Sequence, residues 1–147
     1  HDVDFVNSML GAPDEILAAG KRSAPDSPCE VIQTIYRYTG GPQVSLYGGW
    51  SEVQMPFRAG YEAWFERGFI RLEPDGKLTV YDNPDQLNAR PADYQPGDAY
   101  FNEIEYFIRC VENNEEPAEC PPESARDSLA LVEKERAVID LAARRHG

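Results

Sequence analysis

The chain has 147 residues, enough for one domain with a sizeable core and too few for two comfortable ones. Its 14 basic and 26 acidic residues leave a net charge of −12, which argues against nucleic acid and anionic membrane surfaces as partners. No apolar run approaches the ~20 residues that cross a bilayer, and no export-signal pattern is present.

The chain opens His1-Asp2-Val3-Asp4, without an initiator methionine. Val3, Val6, Met9 and Leu10 then fall at helical spacing, and Gly11 followed by Pro13 is a stop signal. From Glu15 the period changes. Ile16 to Ala19 and Cys29 to Tyr38 are rich in residues that suit a pleated surface, with the turn-forming segment SAPDSP between them. After Thr39-Gly40-Gly41-Pro42, Val44 to Trp50 reads as a third strand. Tyr61 to Glu66, Phe69 to Glu73 and Leu78 to Tyr81 read as three more. Pro74-Asp75-Gly76-Lys77 is a strong turn signal between the last two. Residues 83–98, polar and proline-bearing, read as a long surface connection.

Two helices follow. Ala99 to Asn113 carries Tyr100 or Phe101, Ile104, Phe107, Ile108 and Val111 on one stripe. The other starts at Pro121-Pro122 and runs to about Arg145, with Glu123 and Asp127 early and Arg144-Arg145 late, matching the helix dipole. The segregated order predicts an α+β domain: a mainly antiparallel, open sheet of about six strands with helices packed on one face. The other face must then accommodate many aromatics. Tyr36, Tyr38, Tyr47, Trp50, Tyr61, Trp64 and Phe65 exceed what a water-facing sheet surface usually carries, so a partner subunit is expected there. A homodimer with facing sheets, burying roughly 1,500 Å² or more, is the expected form.

Chemistry-bearing motifs are scarce. There is no glycine-rich dinucleotide loop, Walker loop, nucleophile elbow or H-E-x-x-H. Cys29, Cys110 and Cys120 form no C-x-x-C pair and are accompanied by two histidines, so free thiols in a reducing cytoplasm are expected and no metal site is. His146 lies in a basic tail. His1 is different, because a helix N-terminus disfavours imidazolium and leaves a neutral ring able to act as a base or to hydrogen-bond a hydroxyl. Asp2 and Asp4 suit capping and first-turn positions.

HDVDFVNSMLG followed by a strand resembles the point in the Gfo/Idh/MocA oxidoreductase family where the catalytic histidine opens a helix of the form H-D-x-D-x-x-x-x-L-G. AGYEAWFERGFIRLEPDGKL is similar to that family's paired strands, with Gly68 between the two runs. EIEYFIRCVENNEEPAECPPESARDSLALVEKERAVIDLA resembles its closing E-x-x-x-F helix, E-x-P turn and S-A-x-x-S-L helix. The likeness runs through essentially the whole chain.

The resemblance implies that residues 1–147 are a single C-terminal substrate-binding and oligomerisation domain. The N-terminal Rossmann domain, with its glycine-rich loop and Lys-Pro motif, is missing. So is the acidic residue the family carries about one turn before the histidine. The parent would be an NAD- or NADP-dependent oxidoreductase of a sugar, polyol or related hydroxy compound. His1 would then be the catalytic proton donor or acceptor. Trp50, Arg58 and Tyr61, around the Met55-Pro56-Phe57 turn, offer the aromatic surface and polar group that a carbohydrate ring requires, and are the candidate substrate contacts. The chain alone would bind no dinucleotide, since no strand–glycine loop–helix unit is present to hold a pyrophosphate. The alternative is a non-catalytic binding or dimerisation module.

Overall fold

The computed structural model describes residues 1–22, 30–51, 53–82, 85, 90–91, 97–119 and 121–146. Cys29, Cys120 and most of the 83–98 connection lie outside them. The elements are α1 (Asp2–Leu10), β1 (Glu15–Arg22), β2 (Glu30–Arg37), β3 (Gln43–Trp50), β4 (Tyr61–Phe65), β5 (Gly68–Leu72), β6 (Leu78–Tyr81), β7 (Arg90–Pro91), α2 (Ala99–Asn113) and α3 (Pro122–His146). This is an α+β fold with open antiparallel sheets. β1 extends three residues beyond the predicted run, and β7 is a short strand within the segment read as a surface connection.

The strands form two sheets, ordered β1-β2-β3 and β4-β5-β6-β7. The interruption after β3 has a local cause. Residues 54–60 are irregular and include Pro56, which lacks the N–H that a ladder requires. The chain divides accordingly into two compact units, residues 1–54 with 116–147 and residues 55–115.

In the first unit, β2 pairs with β1 on one side and β3 on the other, placing Ile16, Tyr36 and Val44 in one cross-strand row and Ala18, Thr34 and Leu46 in the next. That face is covered by α3. Tyr36 and Thr34 are fully buried, and the Tyr36 hydroxyl donates to Glu135 Oε1 of α3 at 2.8 Å. Ser128, Leu131 and Glu135 recur at helical spacing as the buried stripe of α3. The helix lies close to the strands at Gly20, where a Cβ would sit 3.0 Å from Ile139 Cδ1 and the Val31 carbonyl oxygen. The opposite face carries Leu17, Val31 and Tyr47, all exposed, beside the exposed Arg37–Glu15 ion pair.

In the second unit, β5 pairs with β4 and β6, and the β5–β6 turn closes as its sequence suggests. Glu73 N–H donates to Lys77 O, Asp75 Oδ1 accepts from Lys77 N–H, and Gly76 takes a left-handed φ of 85°. Asp98 caps α2, its carboxylate accepting from Tyr100 and Phe101 N–H at 3.0 and 3.1 Å. The predicted apolar stripe of α2 is present, yet Phe101, Ile104, Phe107, Ile108 and Val111 are all exposed.

The aromatic residues divide unequally. Of those singled out from the sequence, Tyr36 alone is buried and Tyr38 half-buried, while Tyr47, Trp50, Tyr61, Trp64 and Phe65 are exposed.

Burial, and then the bond to Glu135, raise the Tyr36 pKa far above that of a free phenol. A native pKa above the unfolded one means that the native state holds its proton longer, so stability is complete below about pH 10 and declines as pH rises further. Tyr36→Phe is expected to cost about 1–3 kcal/mol near neutral pH, because it leaves a buried carboxylate without its donor. The variant should also lose part of the alkaline decline. Urea unfolding at neutral pH and above pH 10 measures both effects.

Candidate functional site

His1 stands at the N-cap of α1. Its backbone carbonyl accepts Phe5 N–H at 2.9 Å, while its side chain is exposed and makes no capping bond. Asp2 and Asp4 lie in the first turn, as their chemistry suggests, but neither serves as the cap. Asp4 has a different partner: its Oδ1 accepts from the Ser128 hydroxyl of α3 at 2.7 Å. Asn7 Nδ2, one turn further along α1, donates to the same Ser128 oxygen at 3.3 Å. Val6 is buried between these two polar contacts in sequence. The H-D-x-D and S-A-x-x-S-L segments therefore meet in space.

The far end of α1 is tied to the sheet. The Tyr38 hydroxyl donates to Gly11 O at 3.0 Å, and Asp14 N–H donates to Arg37 O at 2.9 Å. Thr39 N–H donates to the Asp14 carboxylate at 2.6 Å, and this backbone bond holds that carboxyl below its usual range.

The predicted substrate residues divide between the two units. In the first unit, α3 meets α1 at Ser128, Tyr36 at Glu135 and Gly20 at Ile139. Trp50 pairs with Glu30, two residues beyond the Gly20–Ile32 pair. The Ser128–Ile139 stretch of α3 alone spans about 16 Å, so α1 docks at one end of this unit and Trp50 lies beyond the other. The structure does not bring His1 and Trp50 together. Arg58 and Tyr61 belong to the second unit, the former on the irregular 54–60 segment and the latter opening β4 opposite Leu72; both are exposed.

Other groupings were not apparent in the sequence. On one face of the β4–β5–β6 sheet, Trp64 makes a tilted ring contact with Phe69, centroids 4.4 Å apart, and Phe69 is 5.8 Å from Tyr81. Arg71 lies over the Phe69 ring at 5.3 Å and its Nε donates to Glu62 at 2.8 Å. Alternation within β4 and β5 was the available signal, but the register that aligns Trp64 with Phe69 is a tertiary fact. Ser128 and Glu135 gave a fainter signal, as polar residues at core-periodic positions of a long helix.

Among the described residues, neither α2 nor α3 opens from a glycine-rich loop. The N-terminal amides of α2 are occupied by the Asp98 carboxylate, which would also repel a pyrophosphate. α3 opens after Pro121, whose carbonyl accepts Ser124 N–H, and not from a glycine-rich loop. Among the described residues no three His, Cys, Asp or Glu side chains are grouped to hold a metal ion, and no helix is long and apolar enough to cross a membrane.

No family model matches the sequence. No curated protein matches it either. The fold does have a solved counterpart, biliverdin reductase from Synechocystis sp. PCC 6803, whose structure contains biliverdin and NADP+. The TM-score is 0.75 at 9% sequence identity, and the match covers 94% of this chain and 44% of that one. Likeness at this identity establishes the fold.

The exposed, uncapped position of the His1 side chain makes it free of structural duty. His1→Ala should leave the unfolding free energy within about 0.5 kcal/mol of the parent, read by denaturant titration.

Proposed function

We propose that this chain is the substrate-binding and dimerisation half of an NAD(P)-dependent oxidoreductase acting on a sugar, polyol or related hydroxy compound. The observation that carries the reading is the fold match to an NADP-bound reductase over 94% of this chain but only 44% of the other. That proportion fits a separate dinucleotide-binding domain preceding His1 in the parent protein. The ordered family-like segments of the sequence support the same assignment.

In this reading a dinucleotide bound by another domain would supply hydride exchange at the carbon bearing the reacting hydroxyl. His1 handles the hydroxyl proton, accepting it on oxidation and returning it on reduction. Its side chain is free to do so because the α1 cap uses the His1 backbone. Arg58 and Tyr61 remain the proposed substrate contacts. Trp50 stands in the first unit with His1, at the Glu30 end of β2. Cys110, a buried free thiol, suits a cytoplasmic location.

The test is turnover by the complete gene product with NAD+ or NADP+ against a panel of sugars and polyols, with biliverdin and NADPH as a separate arm. Oxidation of a hydroxy compound that is lost in His1→Ala is the expected result. Turnover of biliverdin alone would overturn the substrate class, and no dinucleotide-dependent turnover would favour the second reading, a non-catalytic dimerisation module. An upstream reading frame without a glycine-rich strand–helix unit would favour that module as well.

Both readings include association through sheet faces. Leu17, Val31 and Tyr47 are exposed on one face of the β1–β2–β3 sheet, and Trp64 and Phe65 are exposed on β4, apolar surface that a partner would cover. The chain is expected to sediment as a dimer at micromolar concentration, and Tyr47→Asp to shift it toward monomer. A clean monomer for the parent chain would refute sheet-face dimerisation.

A further inference from the structure

We infer that Ser128, bridging Asp4 and Asn7, is a positioning residue: a latch on α3 that sets where α1 carries His1. The inference rests on the proposed role of His1 and adds to it a device on a different helix.

α1 has nine residues, and a helix this short is not stable in water on its own, so its placement is decided by what it docks against. Along its length the docking is sparse. Val6 is its one buried side chain, and most of its other apolar residues, including Phe5, Met9 and Leu10, are exposed. Directional contact comes from Ser128, which uses its hydrogen to donate to Asp4 Oδ1 at 2.7 Å and a lone pair to accept from Asn7 Nδ2 at 3.3 Å. Asp4 and Asn7 are three residues apart and so lie on one face of α1. A single oxygen held from two successive turns fixes the rotation of the helix as well as its distance from α3.

Ser128 is itself 8% exposed, so the bond to the exposed Asp4 is shielded from water on the serine side, and a carboxylate acceptor strengthens it. Ser8 provides the contrast. Its hydroxyl donates to Phe5 O within α1, on the exposed surface, and touches no other element. Asp2 and Asp4 are both exposed first-turn acids, and the docking bond is made from Asp4. The helix that opens with histidine is thus locked one turn below that histidine.

The test has two arms. In the first, amide hydrogen exchange is followed by NMR on the 147-residue chain. Ser128→Ala should accelerate exchange across Phe5 to Leu10 by about tenfold or more, while Thr34 and Tyr36 keep their protection. Asp4→Asn retains an acceptor oxygen and should stay within about threefold of the parent, and Ser8→Ala should match it. Unchanged α1 protection in Ser128→Ala, or an equal loss in β2, would overturn the latch. In the second arm, turnover by the gene product should fall about ten- to a hundredfold in kcat for Ser128→Ala with KM little changed, whereas Asp4→Asn should retain most of the parent kcat. Loss of α1 protection with kcat intact would overturn the positioning role. Absence of turnover in the parent protein would instead count against the proposed function, and the exchange arm then decides the latch by itself.

Discussion

The first unit depends on the bond between the Tyr36 hydroxyl and the Glu135 carboxylate. Both groups are buried, and a carboxylate removed from water is tolerated only with a donor in place. The bond therefore restricts how α3 can lie on the sheet. Shifting the helix by one residue would turn Glu135 away from Tyr36 and direct Lys134 or Arg136 toward the buried hydroxyl. Leu131 and Ile139 on the same helix provide apolar contact, which tolerates small displacements, while the polar pair does not. Ser128 lies two turns before Glu135 on the same stripe, so the register set by Tyr36 also determines where α1 finds its acceptor and donor.

Local chemistry made much of the fold legible. The α1 stop came from Gly11 and Pro13, the β5–β6 turn from Pro74-Asp75-Gly76-Lys77, and the start of α3 from Pro121-Pro122. Each depends on backbone preferences within four residues, which is why each is readable without knowing the rest. The boundaries of α2 were legible for the same reason, with Ala99 and Asn113 as its observed ends.

What was not legible depends on contacts distant in sequence. Tyr36 and Glu135 are separated by 99 positions, and Asp4 and Ser128 by 124. A serine and a glutamate at core-periodic positions of a charged helix do not name their partners, because polarity reports the residue and not what it meets. The division into two sheets was missed because residues 51–60 look like a turn in composition. Their length and Pro56 decide the pairing only once β3 and β4 have partners. The site followed the same rule. His1 was marked by sequence, but the distance separating it from Trp50 arises from how β2 runs along α3.

The tethers of α1 make it a short lever. Asp4 is three residues from His1, about 4.5 Å along the axis, whereas the next hydrogen-bonded tether to the sheet, the Gly11 carbonyl, is ten residues away, about 15 Å. A tilt of ~10° about the nearer point displaces the histidine by about 0.8 Å, and the same tilt about the farther one by about 2.6 Å. Proton transfer is lost over roughly the difference between those two displacements. A serine hydroxyl on another helix therefore sets the tolerance with which the first residue of the chain can be aimed.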